Sequence, residues 1–264
     1  MLNTLHRDGW RPKAEQRYSV PALTGKAIAA GLGFYNNLRT MPETNLDVDR
    51  SGVIKAVGEF ALEHFNTDVK MTEPVINVTE TERGRVIPVL ENYIKNDPLR
   101  AYKVVAVELD YGAEYGYARP DLVIEDEFGL AAVDYKTSAK PIMRRTYEES
   151  FQMKHYCHFG QYVFNRPIQR YLIVGLNTYA VSNTPQVERF DAAPEKLDLW
   201  YQATVPVWQH MKKVEDGVVK PWMAAEHEDK WGPCEMKRAC LDFRLDEGLM
   251  RREYVKLERS KDVV

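Results

Sequence analysis

Apolar residues recur at spacings of three and four through the first hundred positions and at spacings of two after them. In "GKAIAAGLGFYNNLRT" (25–40) and "SGVIKAVGEFALEHFN" (51–66) they fall on one side of a 3.6-residue period, which predicts two amphipathic helices, with Ser51 as N-cap of the second. "TETERGRVIPVLENYIKND" (79–97) predicts a third, with Val86, Val89, Leu90 and Tyr93 on one stripe and Pro88 bending it. Near residue 102 the period changes. "YKVVAVELDYG", "YGYARPDLVIEDE" and "GLAAVDYKTS", separated by short turn signals, predict an antiparallel meander. A helix over 146–164, a buried strand over 170–181 and a helix over 195–217 follow, before a charged tail, 218–264. That order of elements predicts an α/β fold with a mixed sheet. No repeat, low-complexity tract or linker divides the chain, so a single domain spanning 1–264 is expected. It comprises a helical part (1–100), a core of sheet and helix (101–182), and C-terminal helices with the tail (183–264).

Composition narrows the class without choosing a function. With 44% hydrophobic and 28% charged residues in 264, this is an ordinary globular chain. No apolar run reaches the length of a membrane span, and the first twenty residues lack the pattern of a signal peptide. Three widely spaced cysteines argue against a disulfide framework and for a reducing cytoplasm. A net charge of −3 excludes a polybasic coat, but acidic metal ligands can offset a local basic groove, so a nucleic-acid enzyme stays open.

The segment "RPDLVIEDEFGLAAVDYKTSAK" (119–140) changes the picture. Side chains alternate along a strand, so Asp134 and Lys136 share a face while Tyr135 takes the other. Across the short turn, Asp121 can join that face, and Glu108 sits on the preceding strand. A bare D-x-K is common and by itself describes a surface ion pair. Three carboxylates and one ammonium converging at a sheet end instead suit metal-assisted hydrolysis of a phosphodiester. Glu108, Asp121 and Asp134 would offer hard oxygen ligands to Mg²⁺, with the Tyr135 carbonyl as a further ligand. Lys136 would orient the attacking water or stabilise the transition state.

These residues, "PD…VDYKTS", resemble the core motif of the PD-(D/E)xK nuclease superfamily, with Asp121, Asp134 and Lys136 in the motif positions. "DYKTS" after an apolar strand is similar to the RecB-like branch, which includes recombination exonucleases and the CRISPR adaptation nucleases. That branch carries Gln-x-x-x-Tyr on the helix after the lysine strand, matched here by Gln152 and Tyr156 in "FQMKHY". Residues four apart share a helix face. The resemblance implies a restriction-endonuclease-like core and a Mg²⁺-dependent deoxyribonuclease, Mn²⁺ substituting, that acts in recombination, repair or phage DNA processing. Exonuclease action is the commoner mode among such relatives, and the sequence itself does not choose. A helicase or single-strand annealing protein is the implied partner.

The match has gaps. The branch often has a metal-binding histidine in a Gly-x-x-x-His context on an early helix, and "GKAIAAGL" places Ala29 there, with His6 and His64 outside the pattern. Cys234 and Cys240 have the spacing of two ligands of the cluster that relatives hold, and His227 can occupy a third place. The early cysteine is absent, so no iron–sulfur cluster is expected and Cys157 reads as core. Lys140, Arg144, Arg145 and Lys154 would contact DNA phosphates without sequence preference. Tyr147, Phe151, Tyr156 and His158 offer flat groups for base stacking or for the core, and "RREYVKLERSKD" in the tail reads as a mixed-charge helix. The alternative is a catalytically weakened nuclease-fold subunit that binds DNA or assembles with a partner.

Overall fold

The computed structural model describes residues 10–12, 20–41, 49–70, 79–112, 118–148, 150–180, 184–215, 228–229, 232–233 and 254–256. The chain divides into two compact units, one of Tyr18–Met71 with Val75–Gln202, the other of Met1–Arg17, Thr72–Pro74 and Ala203–Val264. In the second unit, Trp10–Pro12 pairs antiparallel with Tyr254–Lys256, and Glu228–Asp229 with Gly232–Pro233. The tail residues 254–256 are therefore strand, not the expected helix. His227, Cys234 and Cys240 lie outside the described residues.

The first unit opens with helices α1 (Val20–Thr40) and α2 (Arg50–Lys70). Pro21 fits α1's first turn, where a missing N–H costs nothing. The start of α2 is fixed by Asp49 and not by Ser51: its Oδ1 accepts the Gly52 N–H at 2.9 Å. The expected single helix over 79–97 is two, α3 (Glu80–Arg83) and α4 (Val86–Lys95). The break falls at Gly84–Arg85, and Pro88 then lies in the first turn of α4, where it need not bend anything. Val86, Val89, Leu90 and Tyr93 are all buried, as their stripe predicts.

A five-stranded sheet follows, β1 (Lys103–Val107), β2 (Leu122–Asp126), β3 (Gly129–Ser138), β4 (Ile168–Asn177) and β5 (Gln186–Asp191), in that spatial order. All neighbours are antiparallel except β3 and β4, which run parallel. A parallel pair needs a crossover, supplied by α5 (Arg144–Tyr147) and α6 (Phe151–Phe164). The expected helix over 146–164 is split because Ser150 caps α6, accepting the Met153 N–H on its side chain. Helix α7 (Pro194–Glu215) follows, its residues from Ala203 onward belonging to the other unit. The expected α/β class with a mixed sheet is observed, with β5 as a strand that the apolar pattern did not mark.

Leu122, Ile124, Ala131, Val133, Leu172, Val174 and Leu176 join residues of α1, α2 and α4 in one buried core. Alternation turns their neighbours, Val123, Ala132 and Ile173, to the opposite face, where α6 packs on β3 and β4. Cys157 is fully buried on α6, with its Sγ 3.7 Å from the Arg170 carbonyl. Among the described residues no helix is long and apolar enough to cross a membrane.

Candidate active site

Strands β2 and β3 are in register from Asp126↔Gly129 to Leu122↔Val133, so the next rung holds Asp121 and Asp134. Leu122 and Val133 belong to the helical core, and alternation turns both acids to the α6 side. At this rung a side chain joins the backbone pattern: Asp121 Oδ2 accepts the Tyr135 N–H at 2.7 Å. Lys136, two residues beyond Asp134, shares its face. Its Nζ lies 2.5 Å from Asp134 Oδ2 and donates to Gln152 Oε1 at 3.3 Å. Gln152 Nε2 in turn donates to Tyr156 Oη at 2.7 Å. The two sequence motifs, on β3 and on α6, are thus joined by one chain of polar contacts, an ion pair and two hydrogen bonds, from Asp134 to Tyr156.

The acids are held against their own charge. Asp134 is 2% exposed, and burial raises its pKa while the Lys136 ammonium opposes that rise. Asp121 is pushed up to about 7, first by burial and then by the charge of Asp134. The Tyr135 N–H and Lys136 pull it the other way, and Glu108 adds the smallest upward contribution. The Tyr156 phenol is pushed up to about 12, mainly by burial, with Asp134 and Asp121 adding to the rise and Gln152 and Arg119 opposing it. Tyr147 is also raised, by burial first, and feels both Lys136 and Asp134.

Glu108 approaches differently. Strand β1 has an irregularity between Val104 and Ala106, which lets Val104 and Val107 both face the helical core. Glu108 then comes level with Asp121, donating its N–H to the Asp121 carbonyl at 3.1 Å. It adopts a φ of 45°, uncommon for a residue with a side chain. Its carboxylate lies against α1: a Cβ added at Gly33 would meet Oε1 at 2.9 Å. Among the described residues, no three His, Cys, Asp or Glu side chains gather into a metal-holding group. Glu108 is placed near the two aspartates without joining them in such a cluster.

The desolvated pair still fits a hard divalent cation, because two crowded carboxylates with one ammonium leave negative charge that such an ion would neutralise. Ala29 stands one turn from Gly25, whose added Cβ would meet Thr137 Oγ1 at 2.9 Å, and one turn from Gly33. The position where the resemblance implies an imidazole therefore lies on the stretch of α1 that borders β3 and Glu108.

Of the residues expected to contact phosphates, Arg144 and Lys154 line a cavity away from the acids. Arg144 donates to the Arg189 carbonyl at 2.8 Å, approaches Glu188 at 3.5 Å and lies 4.5 Å over the Phe190 ring. With Lys154 and Lys196 it lines a cavity of about 170 Å³ backed by Tyr171 and Phe190, to which neither acid contributes. Arg145 is exposed beside Met143. Arg119, exposed and within electrostatic reach of Tyr156, was not singled out from the sequence, although it directly precedes the Pro-Asp pair. Asn36 and Tyr93, which meet Tyr135 from behind, also escaped it. An asparagine on the buried stripe of α1 was the available signal.

A family model of the PD-(D/E)XK nuclease superfamily matches residues 54–241. That span includes all five strands of the sheet and α6, and it leaves out α1. No curated protein matches the chain.

Proposed function

The chain belongs to the PD-(D/E)XK nuclease superfamily, and from that premise we propose that it is a divalent-metal-dependent deoxyribonuclease working at Asp121, Asp134 and Lys136. The observation that carries this reading is the unbroken chain of contacts from Asp134 through Lys136 and Gln152 to Tyr156. An ion pair kept only for structure would not need a second, half-buried acid, Asp121, whose charge the fold opposes.

Asp121 and Asp134 would hold the cation, Mg²⁺ or Mn²⁺, with the Tyr135 carbonyl and Glu108 as further oxygen donors. When bound, the ion polarises the phosphoryl oxygen and offsets charge on the leaving oxygen. Lys136, tethered between Asp134 and Gln152, orients the attacking water, whose oxygen bonds to phosphorus and gives up a proton to solvent as the bridging oxygen leaves with its electron pair and takes one up. The half-buried setting of Lys136 strengthens that ammonium's effect on the developing charge. Gln152 and Tyr156 orient the scissile strand, and Arg119 and Arg145 offer contacts to the phosphates beside it. The "DYKTS" and Gln-x-x-x-Tyr pattern supports the RecB-like branch. It also supports sequence-independent action, exonucleolytic by preference, in recombination, repair or phage DNA processing beside a helicase or annealing protein.

The test is cleavage of linear and circular, single- and double-stranded DNA in Mg²⁺, Mn²⁺ or EDTA. The wild-type chain is expected to cut only with metal, and D134A and K136A to lose about a thousandfold or more of that rate while remaining folded. Equal activity in the variants would remove these residues from the site. Metal-independent binding of DNA without cleavage would instead favour the non-catalytic subunit.

A further inference from the structure

Behind the acids, on the helical side of β3, lies a second buried polar cluster for which hydrolysis has no direct use. Asn36 of α1 is 0% exposed, and its Nδ2 donates to Tyr135 Oη at 3.1 Å. Asn36 Oδ1 accepts from Arg39 at 3.1 Å. Arg39 also donates to the carbonyls of Leu99 at 2.6 Å and Tyr102 at 2.9 Å and pairs with Asp97 at 3.5 Å. Tyr93 of α4 sets its hydroxyl 3.0 Å from that of Tyr135, its ring edge-on at 5.6 Å, and Asp97 accepts from the hydroxyl of Tyr35 at 3.0 Å.

The chemistry of Arg39 fixes how the Asn36 amide is turned. A guanidinium only donates, so the amide oxygen of Asn36 must face Arg39 and its NH₂ must face Tyr135. The Tyr135 hydroxyl accepts from Asn36 and shares a hydrogen bond with the Tyr93 hydroxyl, in which either phenol can donate. One tyrosine is thereby held at both ends: its phenol by α1 and α4, its N–H by Asp121. Its backbone joins Asp134 to Lys136, so any slide or roll of β3 at this point moves both working side chains.

We propose that Asn36 is a positioning residue for the carboxylate site, acting through the phenol of Tyr135. The proposal rests on the nuclease reading above, and it gives α1, which lies outside the family match, a part in the reaction. Asn36 is uncharged and buried, bonded to Tyr135 and Arg39 on the face of β3 opposite the acids. Its effect is on where Asp134 and Lys136 stand.

The experiment is a double-mutant cycle of N36A and Y135F in the full chain, read by kcat, by KM for DNA, by Mn²⁺ affinity in calorimetry and by urea unfolding. Each single variant is expected to lower kcat about tenfold to a hundredfold, the scale of a small misplacement of reacting groups. KM for DNA stays nearly constant and Mn²⁺ binding weakens. In the Y135F background N36A should lower kcat no further. If N36A fails to fold, N36S, which keeps a short donor, takes its place with a smaller loss. Variants that lose stability yet keep kcat and Mn²⁺ affinity within about twofold would overturn the proposal. So would a double variant whose kcat falls by the product of the two single losses. A wild-type chain that neither cuts DNA nor binds Mn²⁺ would sink the nuclease reading, and this inference with it; unchanged variants of an active wild type sink the inference alone.

Discussion

On the helical side of β3 the phenol of Tyr135 reaches Asn36 and Tyr93, and beyond them Arg39 and Asp97 close on each other at 3.5 Å. On the α6 side, Asp121 and Asp134 share the one ammonium of Lys136. Both clusters are at least half-buried, and both are built on the same three residues of strand, Asp134 to Lys136. The first balances cation with anion, and each donor in it ends on an acceptor. The second keeps an excess of negative charge out of water, at a cost to the fold. Neighbouring side chains of one strand can thus serve opposite ends, one face consolidating the layer packing and the other kept unfinished for a cation to complete.

The contrast can be broken most forcefully from the satisfied side. D97A leaves the Arg39 charge buried without its carboxylate, and a loss of about 3–5 kcal/mol in urea unfolding is expected. A cost below about 1 kcal/mol, the scale of an exposed pair, would mean that this face is no more settled than the other. The opposite sign is expected from D121N, which keeps an oxygen for the Tyr135 N–H but removes a repelled charge. The metal-free chain should gain about 1 kcal/mol at pH 8, read as a higher unfolding temperature.

A subtler consequence follows from protons. The folded-state pKa of Asp121, about 7, lies above its ordinary 3.8. The folded chain therefore binds this proton more tightly than the unfolded chain, and the metal-free protein should lose stability as pH rises from about 4 to 7. A cation must displace that proton, so Mg²⁺ should raise the unfolding temperature more at pH 8 than at pH 6. Equal shifts at both values would separate Asp121 from the metal. The smallest effect is expected from G33A, which crowds Glu108 at the α1 contact. Half-saturating Mn²⁺ should rise by less than the roughly tenfold typical of outer-shell changes, and a G33A chain identical to wild type would leave Glu108 without a part in holding the ion.

The site was legible in the sequence where its residues obey short local periods. Asp134 and Lys136 are two apart on a strand, Asp121 meets them across a two-residue turn, and Gln152 and Tyr156 are one helical turn apart. What escaped depends on breaks in those periods or on distant partners. Plain alternation from Val104 would turn Glu108 to the helical core; the irregularity in β1 instead brings it level with Asp121, with its carboxylate against Gly33 of α1. Strand β5, "QVERFD", occupies a sheet edge, where charges are tolerated and the apolar signal is thin. Because that strand was not read, neither was the destination of Arg144, which lies on it. Asn36 is invisible as a partner of Tyr135 until α1 crosses β3, 99 residues away in sequence.

The hydrogen bond from the Tyr135 N–H to Asp121 turns one backbone amide into an observer of the site. Its proton points at the oxygen that would be protonated or metal-bound, while its own ring lies in the opposite layer, away from any substrate. In a chain labelled with ¹⁵N at tyrosine, the resonance that disappears in Y135F identifies it. Its chemical shift would then follow acid titration, cation loading and substrate turnover at a single nucleus, with no dye, no probe and no alteration of the residues under study.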